Sequence, residues 1–144
     1  MQNYRFLDHT ADVEFEASGT TIASAFRNSL YALFDTQVDI KMLKKTRSKT
    51  YKITVKEKSR NIDTLLWDFL QDSLSKCEAR GLFGYSAKKL KIQKASSAYL
   101  LHAEILAKRK CSECARLEVK GISKYGLKVV RRGDKFIAQV VVDV

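Results

Sequence analysis

Two stripes of apolar residues at helical spacing, set among segments that alternate apolar and polar, constrain this chain more than any other feature. Ile22, Phe26, Leu30, Leu33 and Phe34 recur at steps of four, four, three and one, which is one face of a helix running to about Phe34. Gly19 ends the segment before it, and Thr20 or Thr21 can cap it by accepting from free backbone N–H groups. The second stripe is Ile62, Leu65, Leu66, Phe69, Leu70, Leu74 and Cys77, with Asn61 as a cap and Gly81 beyond the end. Its acids Asp63, Asp68 and Asp72 lie in the earlier turns, and the first favours the helix dipole.

The remaining pattern has period two. Tyr4–Leu7 reads as a short strand, and Val13, Phe15 and Ala17 alternate with Glu14, Glu16 and Ser18. Tyr51, Ile53 and Val55 alternate with Lys52, Thr54 and Lys56, after a polar, basic connection over residues 36–48. Beyond Gly81 the strand signals are Leu90 with Ile92, Tyr99–Ala107, Leu117 with Val119, Leu127 with Val129, and Phe136–Val142. Proline is absent, so glycine and polar clusters such as Gly126 and residues 132–134 mark the turns. The order predicts an α+β fold with two main helices packed against a mostly antiparallel sheet. The 144 residues, without repeat or linker, fit a single domain over 1–144.

Composition narrows the class. Hydrophobic residues at 45% and aromatics at 10% exclude a disordered basic tail. No apolar run approaches the ~20 residues of a membrane-spanning helix. Met1–Ala17 carries Asp8, Asp12, Glu14 and Glu16, without the basic start and apolar stretch of a signal peptide. Three cysteines, an odd number, argue against a secreted disulfide framework. A cytoplasmic protein without membrane partners is expected. The net charge of +11 is uneven: residues 41–60 hold nine bases and one acid, Glu57, and supply +8 of it. Smaller clusters follow at Lys88–Lys94, Lys108–Lys110 and Arg131–Arg132. Such a field attracts phosphates or acidic protein surfaces, and the alternative is a solvated face kept for solubility. Tyr51 is the lone aromatic of the 41–60 run and is expected to face inward. The stacking platform of a single-strand RNA binder is therefore missing there.

Three groups could carry chemistry. Asp8-His9-Thr10-Ala11-Asp12 packs two acids and a histidine into a loop between early strands; an Asx turn explains the same pattern. The last strand ends in Asp143-Val144, which brings a side-chain carboxylate beside the α-carboxylate. If the Asp12 loop abuts that end, Asp12, Asp143 and Val144 form an all-oxygen site suited to a hard cation, and otherwise Asp143 is merely solvated. Cys111-Ser112-Glu113-Cys114 is a C-x-x-C in a predicted hairpin. A zinc site there would need two further ligands from Cys77, His9 and His102, but Cys77 sits on an apolar helix stripe and His102 inside an alternating strand. A redox pair would ordinarily sit at a helix N-terminus, so free thiols are the plainer reading. A hydrolase using His9 and Asp12 is a weaker reading, because no Ser or Cys nucleophile has a recognisable context.

The chain resembles the archease family from end to end. The residues that carry the resemblance are His9-Thr10-Ala11-Asp12-Val13, Gly19-Thr20, Leu33-Phe34-Asp35 and the helix Ile62–Leu74. They continue through Glu118-Val119-Lys120-Gly121-Ile122-Ser123, close to the family's Val-Lys-Ala-Val/Ile-Thr run, to the terminal Phe136–Val144. Where relatives often read Tyr-His after that run, this chain has Lys124-Tyr125-Gly126, and a histidine usual near Glu113 is missing. The resemblance implies a small accessory protein of the RNA-splicing ligase RtcB, which joins cleaved tRNA halves. It implies help with guanylylation and multiple turnover of the ligase, without catalysis by the accessory protein itself. It further implies a metal site at Asp12, Asp143 and Val144, the last through backbone or terminal oxygens. Calcium is the metal expected, with Mg or Mn as alternatives. A chaperone-like role is also suggested for the family. The basic segment 41–60 makes tRNA a further candidate partner.

Overall fold

A computed structural model describes residues 3–7 and 12–144. Strand β1 (Tyr4–Leu7) pairs antiparallel with β2 (Val13–Gly19), whose Phe15 and Ala17 are fully buried as the alternation requires. Helix α1 (Ile22–Gln37) starts at Thr21, whose hydroxyl accepts from Ser24 N while the Ser24 hydroxyl accepts from Thr21 N, closing a capping box. The helix outlasts its apolar stripe by three residues. Its extra turn is held by the buried Thr36, whose hydroxyl donates to Ala32 O at 2.8 Å.

The polar connection expected over residues 36–48 contains a short helix, α2 (Ile40–Lys44). Asp39 caps it by accepting from Met42 N, and Leu43 is fully buried beside Val38, Phe83 and Cys114. The many lysines hide this helix in the sequence because its apolar anchor is a single side chain.

Strand β3 (Tyr51–Ser59) leads to helix α3 (Ile62–Ala79), capped by Asn61, whose side chain accepts from Asp63 N and Thr64 N. Gly81 follows in the left-handed conformation at φ 66°, which turns the chain into β4 (Leu82–Ala95). Strands β5 (Ala98–Arg109), β6 (Gly121–Ile122), β7 (Lys128–Arg132) and β8 (Lys135–Asp143) complete the chain. Instead of one sheet there are two, paired antiparallel throughout: β1-β2-β8-β6 with β7 also on β8, and β3-β5-β4. The α+β class stands, with α1 and α3 buried against the sheets through Phe26, Leu30, Leu33, Phe34, Leu65, Leu66, Phe69 and Leu70. Each such side chain contributes roughly 1.5–3 kcal/mol by leaving water. Phe26 and Phe69 stack between the helices at 6.2 Å.

The strand expected at Leu117 and Val119 is absent. Arg116 N and Leu117 N donate to Gln37 O and Thr36 O at the end of α1, so this segment meets its backbone needs without a ladder. Only Gly121–Ile122 pairs, with β8. The C-x-x-C motif also departs from expectation. It forms a turn in which the Cys111 and Cys114 sulfurs are bonded to each other, with Cys114 buried under α2. Their Cα atoms lie 5.2 Å apart, inside the range a disulfide spans. Cys77 is free and buried, as its helix stripe predicts. Among the described residues no helix is long and apolar enough to cross a membrane.

Candidate functional site

The register of the large sheet brings the two ends of the chain together. Val13 pairs with Val142, and continuing that antiparallel register by one residue sets Asp12 opposite Asp143. On the far side of β8, Gly121 pairs with Asp143, and Lys120 N donates to the Asp143 carbonyl at 2.8 Å. The sheet thus fixes the Asp143 backbone and leaves its side chain, which alternates away from the buried Val142, at the exposed end. Val144 follows, 37% exposed. Asp12 is half-buried. Asp8, His9, Thr10 and Ala11 lie outside the described residues, so the loop's histidine and the hydrolase reading that used it receive no structural account.

The donor chemistry of this strand end fits a hard cation. Two carboxylates and the oxygens of Val144 give an oxygen-only set, and an exposed position admits water to complete the six to eight ligands calcium takes. Among the described residues, no three His, Cys, Asp or Glu side chains cluster closely enough to hold a metal by themselves. The cysteines and His102 assemble no zinc site: Cys111 and Cys114 are bonded to each other, and His102 is exposed on β5.

Beside Asp12 runs a groove of about 370 Å³ lined by Phe6, Leu7, Asp35, Arg116 and Leu117. Asp35 anchors its wall. It accepts from the Tyr4 hydroxyl at 2.9 Å and from Arg116 Nη1 at 2.7 Å. Burial, and next the Asp35 hydrogen bond, push the Tyr4 hydroxyl well above the usual tyrosine value, so it remains a proton donor. Phe6 and Leu117 are 47% and 48% exposed, an apolar rim next to the acids. Sequence reasoning missed the Asp35–Arg116 wall beside this rim because those two residues stand 81 apart without a local signal.

Glu16, two pairs along from Glu14 on the same outer face of β2, ties the large sheet together. It accepts from Arg5 at 2.9 and 3.1 Å and from Gln139 Nε2 at 2.7 Å, and Arg132 approaches to 3.8 Å. The Gln139 hydrogen bond, then those from Arg5, hold its carboxyl below the usual carboxylate value against the opposing effect of burial. The basic run 41–60 divides in space. Lys41 and Lys44 lie on α2, whereas Lys52, Lys56 and Lys58 project from the exposed side of β3. Tyr51 is half-buried at the edge, with Arg109 Nε donating to its hydroxyl at 3.3 Å. The inward-facing Glu57 meets α3, and burial, then the nearby Asp72 carboxyl, push it up to about 8.

These features define a small α+β domain that presents carboxylates at the open end of one sheet and lysines on the other. The family model described as the Archease protein family (MTH1598/TM1083) matches residues 4–144, and the chain belongs to that family. It is 27% identical to protein archease of Methanosarcina barkeri, covering 99% of this chain and 97% of that one. It is also 27% identical to protein archease of Pyrococcus furiosus, over the whole of both chains. The fold matches the solution structure of a Methanobacterium thermoautotrophicum protein with a TM-score of 0.83 at 23% identity, covering both chains fully. It also matches a Thermotoga maritima crystal structure, described as an archease and possible chaperone, with a TM-score of 0.61 at 18% identity over 96% and 94% of the chains.

Proposed function

We propose that the protein is a metal-binding accessory factor of the RNA-splicing ligase RtcB, promoting guanylylation of the ligase and its multiple turnover in tRNA ligation. It does not join RNA itself. The observation that supports this reading is the β2–β8 register: Val13 pairs with Val142, and the next residues outward on the two strands are Asp12 and Asp143, with Val144 following. A divalent ion, calcium foremost, would be held there by Asp12, Asp143 and a main-chain or terminal oxygen of Val144. It would supply fixed positive charge at a surface otherwise lined by carboxylates. The residues of the chain position that surface: β8 and β6 fix the Asp143 backbone, and the Phe6–Leu117 rim offers apolar area to a protein partner.

Asp12→Ala and Asp143→Ala test the reading. Each is expected to keep the far-UV spectrum and melting temperature, to abolish calcium binding by calorimetry, and to remove stimulation of ligation at catalytic amounts of ligase. Extending the chain past Val144 should weaken metal binding in the same way. Full stimulation by all three variants would sink the site.

A chaperone-like activity is the second reading, favoured by the exposed Phe6 and Leu117. It predicts that Phe6→Ser with Leu117→Ser reduces suppression of client aggregation while calcium binding is unchanged.

A further inference from the structure

The three-stranded sheet covers its inner face with helices and leaves most of its outer face open. On that face three cross-strand rows follow one another: Thr54–Glu104–Lys88, Lys56–His102–Lys91 and Lys58–Leu100–Gln93. Lys52 extends the grid at one end of β3. The one acid in the grid, Glu104, is met by Lys89 at 3.4 Å. Lys52, Lys56, Lys58, Lys88 and Lys91 are exposed, and among the described residues none of the five has an ion-pair partner. A register shift between Lys88 and Lys91, with Lys89 in the left-handed region at φ 54°, bends β4. A groove of about 500 Å³ there is lined by Lys56, Lys58, Lys91, Gln93, Leu100 and His102, with one acid, Glu57, and Leu101 also reaching it.

We propose that this face binds the sugar–phosphate backbone of a base-paired RNA stem. Charge complementarity selects an anion, and the side chains select its class. A protein partner would need aromatic or apolar anchors, and lysine is depleted in the cores of such interfaces. This grid offers only Leu100, 38% exposed. A single-stranded nucleic acid would need aromatic platforms, and no Phe, Tyr or Trp stands in the three rows. What remains is a set of cations roughly 6.8 Å apart along β3 and about 9.6 Å across the sheet from β3 to β4, because β5 lies between them. That spacing suits repeated phosphates contacted without base readout, the mode by which duplex RNA is recognised through shape and backbone. The choice of RNA over DNA rests on the role in RNA ligation proposed above.

The test is fluorescence anisotropy of the full chain with a labelled RNA hairpin and a second hairpin of scrambled stem sequence, between about 50 and 200 mM salt. Each neutralised phosphate contributes about 0.9 to the slope of log affinity against log salt, so five contacts give about −4.5. Lys56→Gln, Lys58→Gln and Lys91→Gln together should weaken binding at least about tenfold and reduce the slope by two to three, alike for both hairpins. The control removes the same charge elsewhere, by Lys41→Gln, Lys45→Gln and Lys135→Gln, and should stay within about threefold of the native chain. Equal weakening by both triple variants would overturn the proposal, as would no hairpin binding at the lowest salt. Polyglutamate held as tightly as RNA, with the same dependence on the three lysines, would assign the face to an acidic protein instead. Because no ligase is present, loss of RNA binding through these lysines supports the face whatever the ligation assay gives. Absent stimulation with intact RNA binding would count against the ligase role alone.

Discussion

The outer faces of the two sheets are built from opposite uses of charge. On the five-stranded sheet, Glu16 gathers Arg5, Gln139 and Arg132, so the polar groups of β1, β2, β7 and β8 satisfy one another. On the three-stranded sheet, five lysines have no ion-pair partner among the described residues. The contrast separates a framework from a reaching surface. Mutual pairing holds β2 and β8 in one register, and that register ends at Val13 and Val142, one residue short of the proposed ligands Asp12 and Asp143. In the proposed RNA-binding role, these lysines hold nothing in place and keep their charge for something outside the chain.

The contrast concerns outer faces only, and the most damaging substitution should therefore lie inside. A Cβ on Gly84, on the inner side of β4, would overlap the Phe34 ring. Gly84→Val is expected to cost about 3 kcal/mol or more, read from urea unfolding, because a ring packed between a helix and a sheet has no room to yield. An unchanged midpoint would mean that the inner face is looser than its geometry implies.

Glu16→Ala comes next. It leaves Arg5 and Gln139 without their acceptor and should cost about 1–2 kcal/mol at pH 7. The fold depresses the Glu16 pKa, so its contribution is complete above the unfolded value of about 4.3 and is lost as pH falls through the lower folded value. The gap between native and variant should accordingly close in acid. A pH-independent gap would assign the effect to packing.

Glu57 behaves in the opposite sense. Its folded pKa is raised to about 8, so its proton favours the fold below about 4.3 and that favour disappears as pH rises through 8. Glu57→Gln should flatten the fall of melting temperature across that window and leave the variant the more stable protein at pH 8. The smallest effect belongs to the reaching surface. The triple variant of Lys56, Lys58 and Lys91 should unfold within about 0.5 kcal/mol of the native chain. A larger loss would show that those lysines belong to the framework after all.

Much of this molecule is legible in its sequence where a local period carries the signal. Phe15 and Ala17 are buried as alternation predicts, and Asn61 and Thr21 cap the helices they precede. The rest depends on contacts between distant segments. Helix α2 rests on Leu43 inserting beside Phe83, forty residues away and in another element. Leu117 and Val119 have the spacing of a strand, but the end of α1 takes the N–H groups of Arg116 and Leu117. That β2 pairs with β8 rather than with β3 separates one sheet into two, and no short pattern encodes it. The acids of the candidate site come from the motif and the strand end, whereas the pairing of the strands that carry them, Val13 with Val142, is a property of the register. The lysine grid escaped in a similar way, since three of its lysines come from the 41–60 run and two from β4.

The central claim is that the strand end bearing Asp12 and Asp143 lets an RNA ligase turn over repeatedly. Counting ligated products per molecule of RtcB, with ligase at catalytic amounts and RNA in excess, tests it most directly. The account predicts many products per ligase with the native chain in the presence of divalent metal, and no more than the unassisted level with Asp143→Ala. Equal turnover with and without the native chain, or equal stimulation by Asp143→Ala, would contradict it.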